Sequence, residues 1–181
     1  VVALIDWLQK HNLKPTTKNK VGFYGLDVYS LWESMDSIIA YLKKNDLSTL
    51  TLAEEAFRCF EPYRKGEGQA YARALQLVPK SCENEVVDLL KLLQKRIPKY
   101  NSSYEDVFSI EQNATVAVNA EKYYRTMLKG GPHSWNIRDK HMADTLDRLL
   151  DFHGPDSKRS FVNKPKHIQA AVLVAGVVFN I

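Results

Sequence analysis

One short run, Val21 to Leu26 (VGFYGL), constrains the fold of this chain more than any other segment. It is apolar, aromatic and bounded by a loop, which predicts a buried strand. A strand cannot satisfy its own N–H and C=O groups, so its partners must lie upstream or after residue 158. The segments between read as helices. The expected fold class is therefore α/β in the α+β sense: a predominantly helical chain whose helices are an insertion next to part of a mixed sheet.

The helical reading rests on apolar spacing. Val1 to Lys10 places Leu4, Ile5 and Leu8 on one face. Asn12 to Lys20 is rich in Asn, Pro and Thr and reads as a loop. After the strand, Val28 to Lys44 carries Leu31, Met35, Ile38, Ile39 and Leu42 on one stripe. Further helices are predicted over Asp46 to Phe60, Gln69 to Val78, Glu85 to Ile97, Tyr104 to Leu128 and Asn136 to Phe152. Ser81 with Glu83 to Glu85 reads as a cap for Glu85 to Ile97, Pro98 as its stop, and Gly130-Gly131-Pro132 as the stop of Tyr104 to Leu128. Among the 181 residues there is no internal repeat.

Composition limits function by exclusion. Apolar residues make up 45%, aromatics 10% and charged residues 25%, so the chain can bury a core. The net charge of +4 is spread over separate clusters, at Lys14, Lys18 and Lys20 and at Lys158, Arg159, Lys164 and Lys166. The clusters hold a single aromatic, Phe161, so neither nucleic acid nor a membrane surface is an expected partner. The most apolar stretch, Ala170 to Phe179, is shorter than the roughly 20 residues of a spanning helix. No secretory signal is visible, and a cytoplasmic location is expected by elimination. Cys59 and Cys82 lack metal-ligand spacing and are expected as reduced, partly buried thiols. Neither a metal nor a cofactor is expected.

Several polar residues stand out against the apolar pattern. Asp27 directly follows the strand, where ligands of α/β sheets gather; it reads either as a substrate contact or as the N-cap of the next helix. In SWNIRDKHMADTL (Ser134 to Leu146), Arg138 and Asp139 stand near a helix start. A cation there opposes the helix dipole, so Arg138 calls for a carboxylate or an anionic ligand. Placing Asp27 and Arg138 on one ligand side follows from that reading. Asn119 interrupts the apolar face of the helix predicted over Tyr104 to Leu128, with Tyr123 and Tyr124 at helical reach, and is a further candidate for substrate contact. The histidines near the last helix, His133, His141 and His153, read as surface or capping residues, since no two share metal-ligand spacing on one turn.

Four ordered segments resemble the erythromycin esterase family: Val21 to Leu42, Cys59 to Leu75, Glu111 to Leu128 and Ser134 to Leu150. The likeness runs almost continuously from Val1 to about Lys158. It implies a hydrolase with a mixed α/β core and a helical insertion. Its substrate would be a small-molecule ester or lactone, attacked by a water that a histidine activates, without an obligatory metal. Such chemistry needs a base poised near neutral pH and a donor for the oxyanion.

The sequence departs from the family pattern twice. The Glu-x-x-His segment that carries the family's principal base has no counterpart here, so residues 1–158 are expected to be an internal fragment, inactive alone. Where relatives carry His-Asn-Thr-His, this chain reads RSFVNKPKHI (Arg159 to Ile168), which leaves His167 as the sole catalytic remnant and sets Lys164 at the first histidine's place. Residues 159–181 are thus an atypical tail, open to two readings, divergence and a one-nucleotide frame slip. A non-catalytic helical interaction module is the alternative function. The sequence leaves the oligomeric state open.

Overall fold

Pairing partners for the VGFYG strand come from the C-terminal part of the chain. The structure is a computed structural model, and it describes residues 2–14, 21–77, 81–100, 102–155, 157–162 and 171–175. Strand β1 (Val21–Gly25) pairs with a strand at Ala171–Ala175, which also pairs with Lys158–Val162. Numbered along the chain these are β1, β3 and β2, and their order in the sheet is β1-β3-β2. Both pairings are antiparallel, with Val21 opposite Ala175 and Lys158 opposite that same residue. The described strands form antiparallel pairs alone, so the expected mixed sheet is not seen among them.

The chain divides into two compact units, Val1–Asp27 with Met142–Ile181, and Val28–His141. The first unit holds the sheet and helix α1 (Val2–Asn12). Leu8 is its buried anchor, as the apolar spacing predicts. The side chain of Asn12 grips the start of β1: its amide donates to Val21 O at 3.0 Å, and its Oδ1 accepts from Val21 N at 2.9 Å. One side-chain amide thus satisfies both backbone groups of a residue at the sheet margin. The strand is less buried than expected. Gly22 is enclosed, Val21, Phe23 and Tyr24 are half-buried, and Gly25 is exposed.

Helices build the second unit: α2 (Leu31–Asn45), α3 (Leu47–Arg58), a 3-10 turn at Glu61–Gly66, α4 (Glu67–Leu77), α5 (Glu83–Arg96), a 3-10 turn at Ile97–Lys99 and α6 (Tyr104–Met127). A seventh helix, α7 (His133–His153), begins in this unit and ends in the first. Helix α6 packs against α2, α4 and α5 and is the axis of the unit. Buried Ala114, Ala117 and Ala120 let neighbouring backbones approach it closely. Around it lie Leu31, Met35, Ile38 and Leu42 of α2, on the stripe the spacing predicts. Burying side chains of this size contributes roughly 1.5–3 kcal/mol each, which offsets the entropy of ordering five helices.

Asp46 N-caps α3, accepting from Thr49 N at 3.0 Å, and Arg96 and Tyr100 donate to the same carboxylate. Burial pushes Asp46 up, but hydrogen bonds from Ser48, Thr49 and Tyr100 outweigh it and hold the carboxyl well below its usual range. The cap of α5 differs from expectation. Cys82, not Ser81, takes the N-cap position, although the Ser81 hydroxyl still accepts from Glu83 N at 3.4 Å. Between α6 and α7, Gly130 and Gly131 adopt φ of 74° and 76° in succession.

The cysteines are also corrected. Cys59, at the end of α3, and Cys82, before α5, form a disulfide with a Cα–Cα separation of 5.9 Å. They lie 23 residues apart, and only the fold brings them together. Persistent disulfides belong to oxidising compartments, so this bond does not favour the expected cytoplasmic location.

Candidate functional site

Six side chains of the second unit, linked partly by contacts and partly by neighbouring positions along a helix, form a circuit around the loop before α2, the C-terminal half of α6 and the start of α7. Tyr29 lies in that loop, and its hydroxyl is 2.9 Å from that of Tyr123 on α6. Their rings meet edge to face with centroids 5.5 Å apart. The Arg138 guanidinium sits 5.1 Å from the Tyr29 ring centroid and 5.7 Å from that of Trp135, three residues earlier on α7. One turn further on α7, His141 Nδ1 lies 2.8 Å from Asn119 Nδ2. Asn119 is one turn before Tyr123 on α6, which closes the circuit.

The local sequence explains the arrangement. Positions 119 and 123 of α6 share a face, as do 135, 138 and 141 of α7. Asn119 and His141 join the two helices. A guanidinium stacks by its faces and donates through N–H groups in its plane, so aromatic neighbours and anionic partners do not compete for the same surface. Tyr29 keeps 37% of its surface and Trp135 60%, whereas His141 keeps 2%. The circuit thus runs from an enclosed imidazole through a half-buried cation to an exposed indole.

Arg138 and Asn119, two residues singled out in the sequence, fall into this one circuit. The reason offered for Arg138 needs revision. α7 starts at His133, so Arg138 stands in the second turn, where the dipole effect has faded. Asp139 is exposed on the adjacent helix position. Asp27 belongs to the first unit and is 4% exposed. It is not the N-cap of α2: Ser30 holds that place, without a side-chain cap bond. His167 and Lys164 lie outside the described residues.

One histidine read as a surface or capping residue is corrected: His141 is buried against Asn119. His153, half-buried at the end of α7, places Nε2 2.9 Å from the Tyr24 hydroxyl, edge to face with that ring. Sequence reasoning also missed Glu121. It is fully buried, accepts from Tyr71 at 2.9 Å and from Arg125 Nε at 3.0 Å, and the same Arg125 pairs with Glu83 at 2.7 Å. Burial raises Glu121 above the ordinary carboxyl range, against the pull of Arg125 and Tyr71. The available signal was an acid between Ala120 and Tyr123 on an apolar helix, with Arg125 at i+4.

Among the described residues no group of three His, Cys, Asp or Glu side chains is placed to hold a metal ion. Among the same residues no helix is long and apolar enough to cross a membrane.

The model of the erythromycin esterase family matches residues 1–176. That is nearly the whole chain, and the chain belongs to the erythromycin esterase family. No solved structure matches it.

Proposed function

We propose that this chain carries the substrate-holding part of a hydrolase acting on an ester or lactone, in which a histidine activates the attacking water. Family membership supports the reaction class. The observation that carries the role of the site is the Arg138 guanidinium set beside the Tyr29–Tyr123 hydroxyl pair. Ester hydrolysis places negative charge on the carbonyl oxygen, and fixed cationic and hydroxyl donors stabilise that charge. In this reading Arg138 and the tyrosines receive the oxyanion. Asn119 orients the His141 imidazole behind them, and Asp139 meets the ligand from the solvent side. Asp27 serves separately, as a positioning carboxylate at the end of β1. His167 is the proposed remnant of the second family histidine.

An aryl phosphonate, which mimics the tetrahedral intermediate, tests the reading. It should bind the purified chain, and Arg138→Gln should weaken it by about tenfold. Equal binding to both proteins would refute it. The 181 residues contain no Glu-x-x-His. Assayed as it stands, the polypeptide should therefore leave nitrophenyl acetate and macrolactones unhydrolysed, because losing the base forfeits about 10²-fold or more in rate. Enzyme-like turnover would overturn that part.

A further inference from the structure

We propose that Cys59 is a site of reversible S-thiolation: a low-molecular-weight thiol exchanges into the Cys59–Cys82 disulfide at Cys59 and frees Cys82, which later resolves the adduct. Such an exchange needs nothing from the hydrolase reading.

Access separates the two cysteines. Cys82 is 0% exposed, whereas Cys59, at the end of α3, is half-buried and keeps part of its surface. Exchange begins with a thiolate reaching one sulfur of the bond, and access decides which. In the folded chain Cys82 offers no surface for attack, so Cys59 is the point of entry. Cys82 also suits the part of leaving group. It is the N-cap of α5, a helix of 14 residues, whose first-turn N–H groups and dipole favour an anion there. Glu83, the acid next to it, is paired with Arg125 at 2.7 Å. Enclosure works against a lasting thiolate, so the freed sulfur ends as the neutral thiol. An accessible cysteine backed by a resolving partner is the arrangement that thiol modification requires.

The step consumes no outside oxidant or reductant. The incoming thiol gives its proton to solvent, and its sulfur forms a bond to Cys59 Sγ. The Sγ–Sγ bond breaks, its electron pair leaves on Cys82 Sγ, and that sulfur takes up a proton. One disulfide replaces another. In the reverse step Cys82 attacks Cys59 Sγ and expels the small thiol.

The consequence falls on α4. The cross-link spans 23 residues, and α4 lies within them. Cys82 N donates to the Tyr71 hydroxyl at 2.8 Å, and Tyr71 donates to Glu121 of α6 at 2.9 Å. Once the cross-link opens, non-covalent contacts alone hold α4 between α5 and α6. Thiolation therefore loosens α4 first.

The test incubates the whole folded chain with excess 2-mercaptoethanol, quenches with acid, alkylates free thiols after unfolding and maps both cysteines by peptide mass. The mercaptoethanol adduct should be about tenfold or more abundant on Cys59 than on Cys82, with Cys82 alkylated in the same molecules. In urea both cysteines should carry it. Hydrogen exchange of Glu67–Leu77 should quicken on thiolation. Comparable adducts on the two cysteines of the folded chain, an adduct on Cys82 alone, or no exchange until the chain unfolds would overturn the proposal. Single variants give a second reading. With circular dichroism showing an intact fold, Cys82→Ser leaves Cys59 reactive toward glutathione disulfide, and Cys59→Ser leaves Cys82 slower by about tenfold or more. Equal rates in the two folded variants would equally overturn it.

Discussion

The Tyr71 hydroxyl donates to Glu121 at 2.9 Å while accepting from Cys82 N at 2.8 Å, so one phenol joins α4, α6 and the start of α5. Glu121 is fully enclosed, and Arg125 is its charged partner. Glu121→Ala should destabilise the second unit by about 1–3 kcal/mol, because it takes the acceptor from the buried Tyr71 hydroxyl and leaves Arg125 with Glu83 alone. Glu121→Gln keeps a hydrogen-bonding group and should cost less. Burial raises the folded carboxyl above its unfolded value. Its stabilising contribution is therefore complete below the unfolded pKa of about 4.3 and is lost as pH rises through the higher folded value. Urea unfolding of wild type and Glu121→Gln across that window checks the sign. A difference that grows in favour of wild type as pH rises would contradict it.

The Cys59–Cys82 bond closes a loop over 23 residues that contains α4. Loops of this size lose about 3 kcal/mol of unfolded-state entropy on cross-linking. Reduction, or Cys59→Ser, should lower the denaturation midpoint by a comparable stability. Thiol titration of the unfolded, unreduced protein should find no free thiol. A midpoint indifferent to reductant would show that the bond contributes nothing.

Asp46 gives the opposite pH dependence to Glu121. Its folded pKa is depressed, so its contribution is complete above the unfolded value of about 3.9 and drains away as the medium is acidified below it. Asp46→Asn should therefore flatten the acid limb of the stability profile. Asp46→Ala removes the cap of α3 and the acceptor for Arg96 and Tyr100, and should cost about 2–4 kcal/mol. An unchanged acid limb in Asp46→Asn would contradict the assignment.

Gly68 lies in α4, and a Cβ built there overlaps the Tyr124 ring of α6. Tyr124 is buried, so the ring has little room to move. Alanine usually stabilises a helix interior relative to glycine, by about 1 kcal/mol. Here overpacking should win, and Gly68→Ala should be destabilising by about 1–3 kcal/mol. A more stable variant would show that the α4–α6 interface yields.

The sequence made the helices legible because their apolar stripes are local: Leu31, Met35, Ile38 and Leu42 are all buried where the spacing puts them. The strand was legible for the same reason. Its pairing was not. The register of Val21 against Ala175 joins residues more than 150 apart, and nothing local encodes it. Arg138 and Asn119 stood out as polar residues in apolar surroundings, but their partners, Tyr29 in the loop before α2 and His141 on α7, are brought to them only by the fold. His141 read as a surface histidine because a single sequence cannot show which helix covers it. The disulfide was missed because Cys59 and Cys82 meet only after α4 has packed.

The two glycines between α6 and α7 have φ of 74° and 76°, and nothing lies within 4 Å of a Cβ added at Gly130. Space is therefore not what excludes a side chain at Gly130; chirality is. An L-residue is strained in this region by roughly 1–2 kcal/mol, whereas its mirror image is at ease there. For two consecutive residues the backbone behaves as though built from D-amino acids, set between two right-handed helices. Glycine is the only genetically encoded residue that supplies that handedness without strain. The joint that hands the chain from the helix of Asn119 to the helix of Arg138 is thus set by stereochemistry, while the site around it is set by packing.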